Sequence, residues 1–180
     1  YTSVPNIMKV IKPLFLDDLY EEFDKSIGNN KKLIKLADRL SKIKIFDPAC
    51  GSGNFLIIAF KELKRLEIEI FKELNSFTFS QITPSQFYGI EIDDFAHEIA
   101  KLSLWLTEHQ MNIEFFNEFQ RVNPTLPLKK AGNITCGNAT RVDWESVCPK
   151  EQDDEIYVLG NPPYLGSSMQ NKSQKDDMKI

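Results

Sequence analysis

The sequence predicts an α/β fold: a mostly parallel sheet with helices on both faces, behind an N-terminal helical cap. Three observations carry this. A glycine loop joins the apolar run Ile43 to Phe46 to a long helix-like segment that starts near Asn54. Short apolar runs then alternate with helix-period segments along the chain. Four of those runs stop at polar residues, Asp47, Glu91, Asn138 and Asn161. Parallel sheets keep their ligand sites at such carboxyl ends, so the four are expected to meet in one crevice.

The elements follow in order. Ile7, Val10 and Ile11 have helical spacing, with Pro5 in the first turn. Pro13 is expected to interrupt that helix. Leu16, Leu19 and Phe23 form a second amphipathic stretch, Gly28-Asn29-Asn30 a stop and restart, and Leu33, Leu36, Ala37 and Leu40 a third stripe. Residues 1–41 thus read as a helical segment that leads into a second, strand-containing segment over 42–180. The first strand is predicted over Lys42 to Asp47. After the loop, Leu56, Phe60, Leu63, Leu66, Ile70 and Leu74 recur at three- and four-residue steps. Gln86 to Ile92 reads as a strand ending near Glu91. Asp93 and Asp94 are N-cap candidates for a helix over Phe95 to Glu108, with a buried stripe of Phe95, Ile99, Leu102 and Leu106. Met111 to Gly132 is expected to be irregular, with Pro124 and Pro127 breaking any long element. Asn133 to Gly137 is a third strand. Ile156 to Leu159 reads as a fully buried parallel strand.

Bulk composition excludes several classes. The 180 residues make about one domain, with 42% hydrophobic and 27% charged residues. A net charge of −4 argues against the whole domain being a basic nucleic-acid clamp. Cys50, Cys136 and Cys148 are odd in number and widely spaced, which gives neither a disulfide framework nor paired metal-ligand spacing. A reducing, cytoplasmic compartment follows. No apolar run reaches membrane-spanning length. His97 and His109 lack a carboxylate or cysteine at metal-ligand spacing, so no metal is expected and a core or surface role is. The Tyr1 start and the polar run after Tyr164 suggest a piece of a longer protein.

The loop Asp47-Pro48-Ala49-Cys50-Gly51-Ser52-Gly53 is neither a dinucleotide fingerprint, since Leu56 stands where the third glycine belongs, nor a P-loop, since no Gly-Lys-Ser/Thr follows. Asp47 would repel a pyrophosphate. A cationic, hydroxyl-rich ligand such as S-adenosylmethionine fits better; the bland alternative is an ordinary strand-to-helix turn. Glu91 is placed to accept from a ribose diol, with Ile92 beside it to lie on an adenine ring. Gly160-Asn161-Pro162-Pro163-Tyr164 removes backbone donors and leaves acceptors, the Asn161 side-chain oxygen and the Pro162 carbonyl. Two acceptors aimed at a conjugated amino group favour a pyramidal nitrogen with a usable lone pair. If that group belongs to a base in a duplex, extrusion costs a few kcal/mol. Stacking on Tyr164 returns about 1–3 kcal/mol.

In this order, Asp47-Pro48-Ala49-Cys50-Gly51-Ser52-Gly53, Gly89-Ile90-Glu91-Ile92-Asp93 and Asn161-Pro162-Pro163-Tyr164 resemble the amino-group DNA methyltransferases that act on adenine N6. The nearest group is the large single-chain restriction–modification enzymes of bacteria and archaea. The resemblance covers nearly the whole chain and implies a Rossmann-like class I fold that uses S-adenosylmethionine. Thr2, Asp47, Ala49, Gly51, Gly53, Glu91, Ile92 and Asn138 would hold the cofactor. Asn161, Pro162, Pro163 and Tyr164 would hold the target adenine. Asn138 stands where the family often has Asp. Later strands and the target-recognition region, through which double-stranded DNA is mainly bound, are absent from this chain, and a nuclease is a possible neighbour in the full-length protein. The isolated residues are therefore expected to methylate DNA weakly or not at all. Two alternatives stay open: methylation of a protein glutamine amide, which uses a similar Asn-Pro-Pro-Tyr turn, and a non-catalytic methyltransferase-like scaffold.

Overall fold

A computed structural model describes residues 2–75, 79–120, 132–162, 166 and 168–177. Helix α1 spans Val4–Ile11, α2 Asp17–Asp24 and α3 Asn30–Lys42. Pro13 does not break the first pair. A single π-helical turn, Lys12–Leu16, carries α1 directly into α2. The wider turn makes room for the proline ring, which would clash with a carbonyl of a regular helix. Gly28, at φ 75°, makes the turn before α3. The Asn29 side chain caps α3 by accepting from the Lys32 N–H at 3.2 Å.

Strand β1, Ile43–Asp47, follows α3 without a loop. Helix α4 is Asn54–Leu74, β2 Phe87–Glu91, α5 Asp94–Phe119, β3 Asn133–Cys136 and β4 Glu155–Val158. A four-residue helix, α6 (Trp144–Val147), and an exposed six-residue helix, α7 (Lys172–Asp177), complete the described elements. The sheet order is β3-β2-β1-β4 and every pairing is parallel. The chain moves outward from β1 through β2 to β3, then returns to the other side of β1. The order therefore reverses between β1 and β4, the position where open α/β sheets bind ligands.

The long helices share one face. Ile7, Ile11, Phe15, Leu33, Leu36 and Leu40 pack with Ile43, Ile45, Leu56, Phe60, Leu63 and Phe87 in one core, so the N-terminal helices are continuous with the sheet domain. A smaller cluster of Phe46, Tyr88, Ile90, Val147 and Cys148 lies on the other face, where α6 covers it. Arg39 of α3 ties the layers together through Asp18 at 2.9 Å, Glu22 at 2.5 Å and Glu155 at 2.7 Å. Gln86 donates to the carbonyls of Leu40, Ser41 and Ile43, which fixes the junction between α3 and β1. Lys64, Glu67 and Ser80 form a buried polar cluster under the segment before β2. Glu67 accepts there from the N–H of Gln81 at 2.7 Å, replacing a strand partner.

Three further expectations are corrected. Helix α5 runs to Phe119, through the first part of the stretch expected to be irregular, because Met111 and Phe115 bury and Phe115 meets Phe71 of α4 edge-on. Its buried face is also different. Phe95, Leu102 and Leu106 are exposed and Ile99 is half-buried, while His97, Ala100, Leu104, Thr107 and Met111 face the sheet. Ala100 is the reason: a Cβ on Gly53 would lie 3.4 Å from it, so the glycine loop and α5 approach through their two smallest residues. Finally, β4 is an edge of the described sheet rather than a fully buried strand, and its Val158 is 49% exposed.

Candidate active site

The carboxyl ends of β1 and β2 set the site. Asp47 closes β1 and is 1% exposed. Its Oδ1 accepts from the Ala49 N–H at 3.0 Å. Burial pushes the Asp47 carboxyl up to about 7 and the negative charge of Glu91 adds to the rise, while the Ala49 N–H works against it. Glu91 closes β2 and is held at both oxygens by main-chain donors. The Gly51 N–H reaches Oε2 at 2.8 Å and the Asp93 N–H reaches Oε1 at 2.8 Å. The Cys50 N–H bonds to the Ile90 carbonyl at 3.0 Å, so the glycine loop lies along β2.

Close packing explains three residues beside the acids. A Cβ at Gly89 would sit 2.8 Å from Cys50 Sγ, so only glycine lets the loop rest on β2. Burial, together with the charges of Asp47 and Glu91, pushes the Cys50 thiol up to about 12. It stays protonated and serves as packing, not as a nucleophile. A Cβ at Gly160 would sit 2.4 Å from Asp47 Oδ1. The chain leaving β4 therefore passes directly over the acid that ends β1. Sequence reasoning gave Gly160 no role of its own; its place between a strand and Asn161 is the signal that could have done so.

Asn161 follows at once. Its Nδ2 donates to Thr2 Oγ1 at 3.1 Å, joining the lead-in to α1 with the exit of β4. Thr2, Asp47, Ala49, Gly51, Glu91, Asn161 and Pro162 line one cleft of about 540 Å³ with Cys50, Ser52, Asn54 and Phe55. A second cleft, of about 570 Å³, adjoins the Asp47–Ala49 turn and is lined by Val10, Pro13, Leu14 and Val158. Asp47, Ala49 and Pro162 line both.

The other expected residues lie elsewhere. Gly53 backs the loop onto α5. Ile92 is exposed beside Glu91 and does not line the cleft. Asn138 is not brought into it either. Its Oδ1 accepts from Thr140 at both N (3.1 Å) and Oγ1 (2.9 Å), and its Nδ2 donates to Asp177 at 3.0 Å. Three of the four strand-end residues meet, and the third strand's does not. Pro163 and Tyr164 lie outside the described residues. No helix among the described residues is long and apolar enough to cross a membrane.

The chain is similar to several known proteins. A family model described as the DNA-methyltransferase domain of MmeI matches residues 23–180. DNA methyltransferase A of Bacillus subtilis strain 168 is 60% identical over 99% of this chain and 21% of its own length. A putative type II restriction enzyme and methyltransferase of Methanocaldococcus jannaschii is 38% identical over 72% of this chain and 11% of its own. Among solved structures, the type IIL restriction–modification enzyme MmeI in complex with DNA superposes with a TM-score of 0.90 at 43% identity, over 98% of this chain and 24% of that one. The chain thus spans less than a quarter of the length of these relatives.

Proposed function

This chain belongs to the family of MmeI DNA-methyltransferase domains, and from that premise we propose that it is the cofactor-binding part of an adenine-specific enzyme. It binds S-adenosylmethionine and methylates N6 of an adenine flipped out of double-stranded DNA, in the cytoplasm of a bacterium or archaeon. The full-length protein supplies the target-recognition region and, as a restriction–modification enzyme, a nuclease. The observation that carries the reading is the meeting of Thr2, Asp47, Glu91 and Asn161 in one cleft at the point where the strand order reverses.

The residues fit the cofactor. Two carboxylates crowd a cleft in which one is reluctant to ionise, and a cation or a hydroxyl donor beside Asp47 relieves that. Glu91, fixed at each oxygen by one N–H, keeps lone pairs for a ribose diol. Thr2, Ala49 and Gly51 complete the cradle, Gly53 supplies the left-handed turn behind it, and Ile92, exposed just outside the cleft lining, offers an apolar surface to an adenine ring. When bound, the cofactor supplies an electrophilic methyl group on a sulfonium.

The rest is positioning by acceptors. Thr2 takes the Asn161 Nδ2 donor and so orients the opposite end of the amide, Oδ1, as an acceptor for the substrate amine. Pro162 has no N–H and contributes its carbonyl. Two acceptors on the two amine hydrogens localise the nitrogen lone pair, and the proton leaves afterwards to solvent or a backbone acceptor. Pro163 and Tyr164 belong to this proposal by the sequence motif, with the Tyr164 ring as the stacking surface for the extruded base. In the full-length enzyme, Asn161→Ala is expected to abolish N6-methyladenine in DNA, read by nucleoside mass spectrometry, while calorimetry still detects the cofactor. Methylation near the parent rate with cofactor bound would overturn the proposal.

A further inference from the structure

The start of α5 and the end of β3 bring together three side chains that the proposed reaction does not use. Ligand-capable atoms of Asp94, His97 and Cys136 all lie within 4.8 Å of one another. The His97 side chain is 9% exposed, and its Nδ1 is buried with no hydrogen-bond partner. The other ring nitrogen, Nε2, is 3.1 Å from the Ile134 carbonyl. A carbonyl can only accept, so the proton of the neutral ring sits on Nε2 and Nδ1 presents a bare lone pair. Acceptors face that lone pair: Glu98 Oε1 at 3.1 Å, shared with Lys101, and Asp94 Oδ1 at 4.0 Å.

Electron-rich groups that face one another need a cation between them. A proton on Nδ1 would engage the carboxylates alone, whereas a metal ion would also engage Cys136 Sγ, which lies within 4.8 Å of the His97 and Asp94 ligand atoms. We propose that His97 Nδ1, Cys136 Sγ and an Asp94 oxygen bind one borderline-soft divalent metal ion, of which Zn²⁺ is the chemical type, with Glu98 or water as the fourth ligand. Zinc holds N, S and O ligands at about 2.0–2.3 Å. Ligands at that distance from one tetrahedral ion stand roughly 3.3–3.8 Å apart, and the atoms, now within 4.8 Å of one another, would reach that spacing by rotation of Asp94 and Cys136, whose side chains are exposed, while the buried imidazole stays in place. The Nε2–H to carbonyl bond is the outer-shell contact that orients a metal-binding histidine. The Cys136 ligand forms its bond as a thiolate and releases one proton on metal binding.

The site is structural. Cys136 pairs with Glu91 in register, the Gly137 N–H bonds to the Glu91 carbonyl at 2.8 Å, and Asp93, next to Asp94, holds the Glu91 carboxylate. A metal ion there clamps the edge strand to α5 and steadies the loop that positions Glu91.

The test uses the full-length protein without an affinity tag, stripped by chelator and titrated with Co²⁺. One equivalent is expected to give a thiolate-to-cobalt charge-transfer band, which Zn²⁺ then removes. The band is expected to be absent in Cys136→Ser, whose exposed side chain can change without disturbing the fold, as circular dichroism in chelator would verify. Zinc affinity is expected to fall at least about 10-fold in Cys136→Ser and in His97→Gln. Identical cobalt spectra for parent and Cys136→Ser would overturn the proposal, as would unchanged zinc affinity in Cys136→Ser.

Discussion

The carboxyl edge of the sheet has two unlike halves. At β1 and β2, Asp47 and Glu91 are tied by main-chain N–H groups and crowd one another in a cleft. At β3, Asn138 is tied by side chains: Thr140 and, across the surface, Asp177, which also receives Arg141 at 2.6 Å. In the first half, backbone geometry holds charged acceptors where a ligand can reach them. In the second, the amide has spent its acceptor on Thr140 and its donor on an exposed helix. A strand-end position is therefore not enough to make a site. A site also requires that the local partners leave capacity over for a ligand.

The sharpest way to break the comparison is at Glu91. Glu91→Ala removes the acceptor for two loop N–H groups and for the proposed ribose diol. Hydrogen bonds to charged groups are worth about 1.5–3 kcal/mol each, so cofactor affinity should fall about 100-fold or more in a calorimetric titration. A loss below about 3-fold would mean that the β1–β2 half is only loop scaffolding.

Asp47 gives the next largest effect, and its sign reverses intuition. Its carboxyl rises from 3.8 to about 7 on folding, so between those pH values the folded state holds a proton that the unfolded chain releases. Stability of the cofactor-free protein therefore falls as pH rises from about 4 to about 7 and is flat above. Asn in its place keeps an oxygen for the Ala49 N–H and removes the charge. Asp47→Asn should unfold in denaturant with a gain on the order of 1–3 kcal/mol at pH 8. That gain should shrink toward zero near pH 4, even as cofactor binding is lost. A variant less stable than the parent at pH 8 would show that the burial of this acid costs nothing.

These contrasts show what the sequence could and could not disclose. The strand–loop–helix unit around Asp47 is legible because period, glycines and terminal acid are local. Parallel topology brings Asp47, Glu91, Asn138 and Asn161 to one edge of the sheet, but which of them meet is decided by their local partners. The face of α5 is not legible. The helix has apolar residues on both sides, and the stripe Phe95, Ile99, Leu102, Leu106 is as periodic as the one that buries. The choice falls to the fit of Ala100 against Gly53, a long-range contact of two small residues. His97 is hidden for the same kind of reason. Its nearest sulfur belongs to Cys136, on another element and distant along the chain, so spacing carries no trace of the pair. Pro13 reads as a break because a π-turn has no sequence pattern of its own to set against the proline.

The smallest effect lies at Asn138, and it decides whether the two halves truly differ. If its amide serves only Thr140 and α7, Asn138→Ala removes exposed polar contacts, each worth about 0.5–1.5 kcal/mol at most. Cofactor affinity should then change less than about 3-fold, while stability falls by up to a few kcal/mol. Arg141→Ala, which releases Asp177 from the same corner, should match it. If instead Asn138→Ala weakens the cofactor about 10-fold while Arg141→Ala does not, the amide must turn from Thr140 toward the ligand on binding. The third strand would then join the site only in the bound state, by exchanging one acceptor role for another.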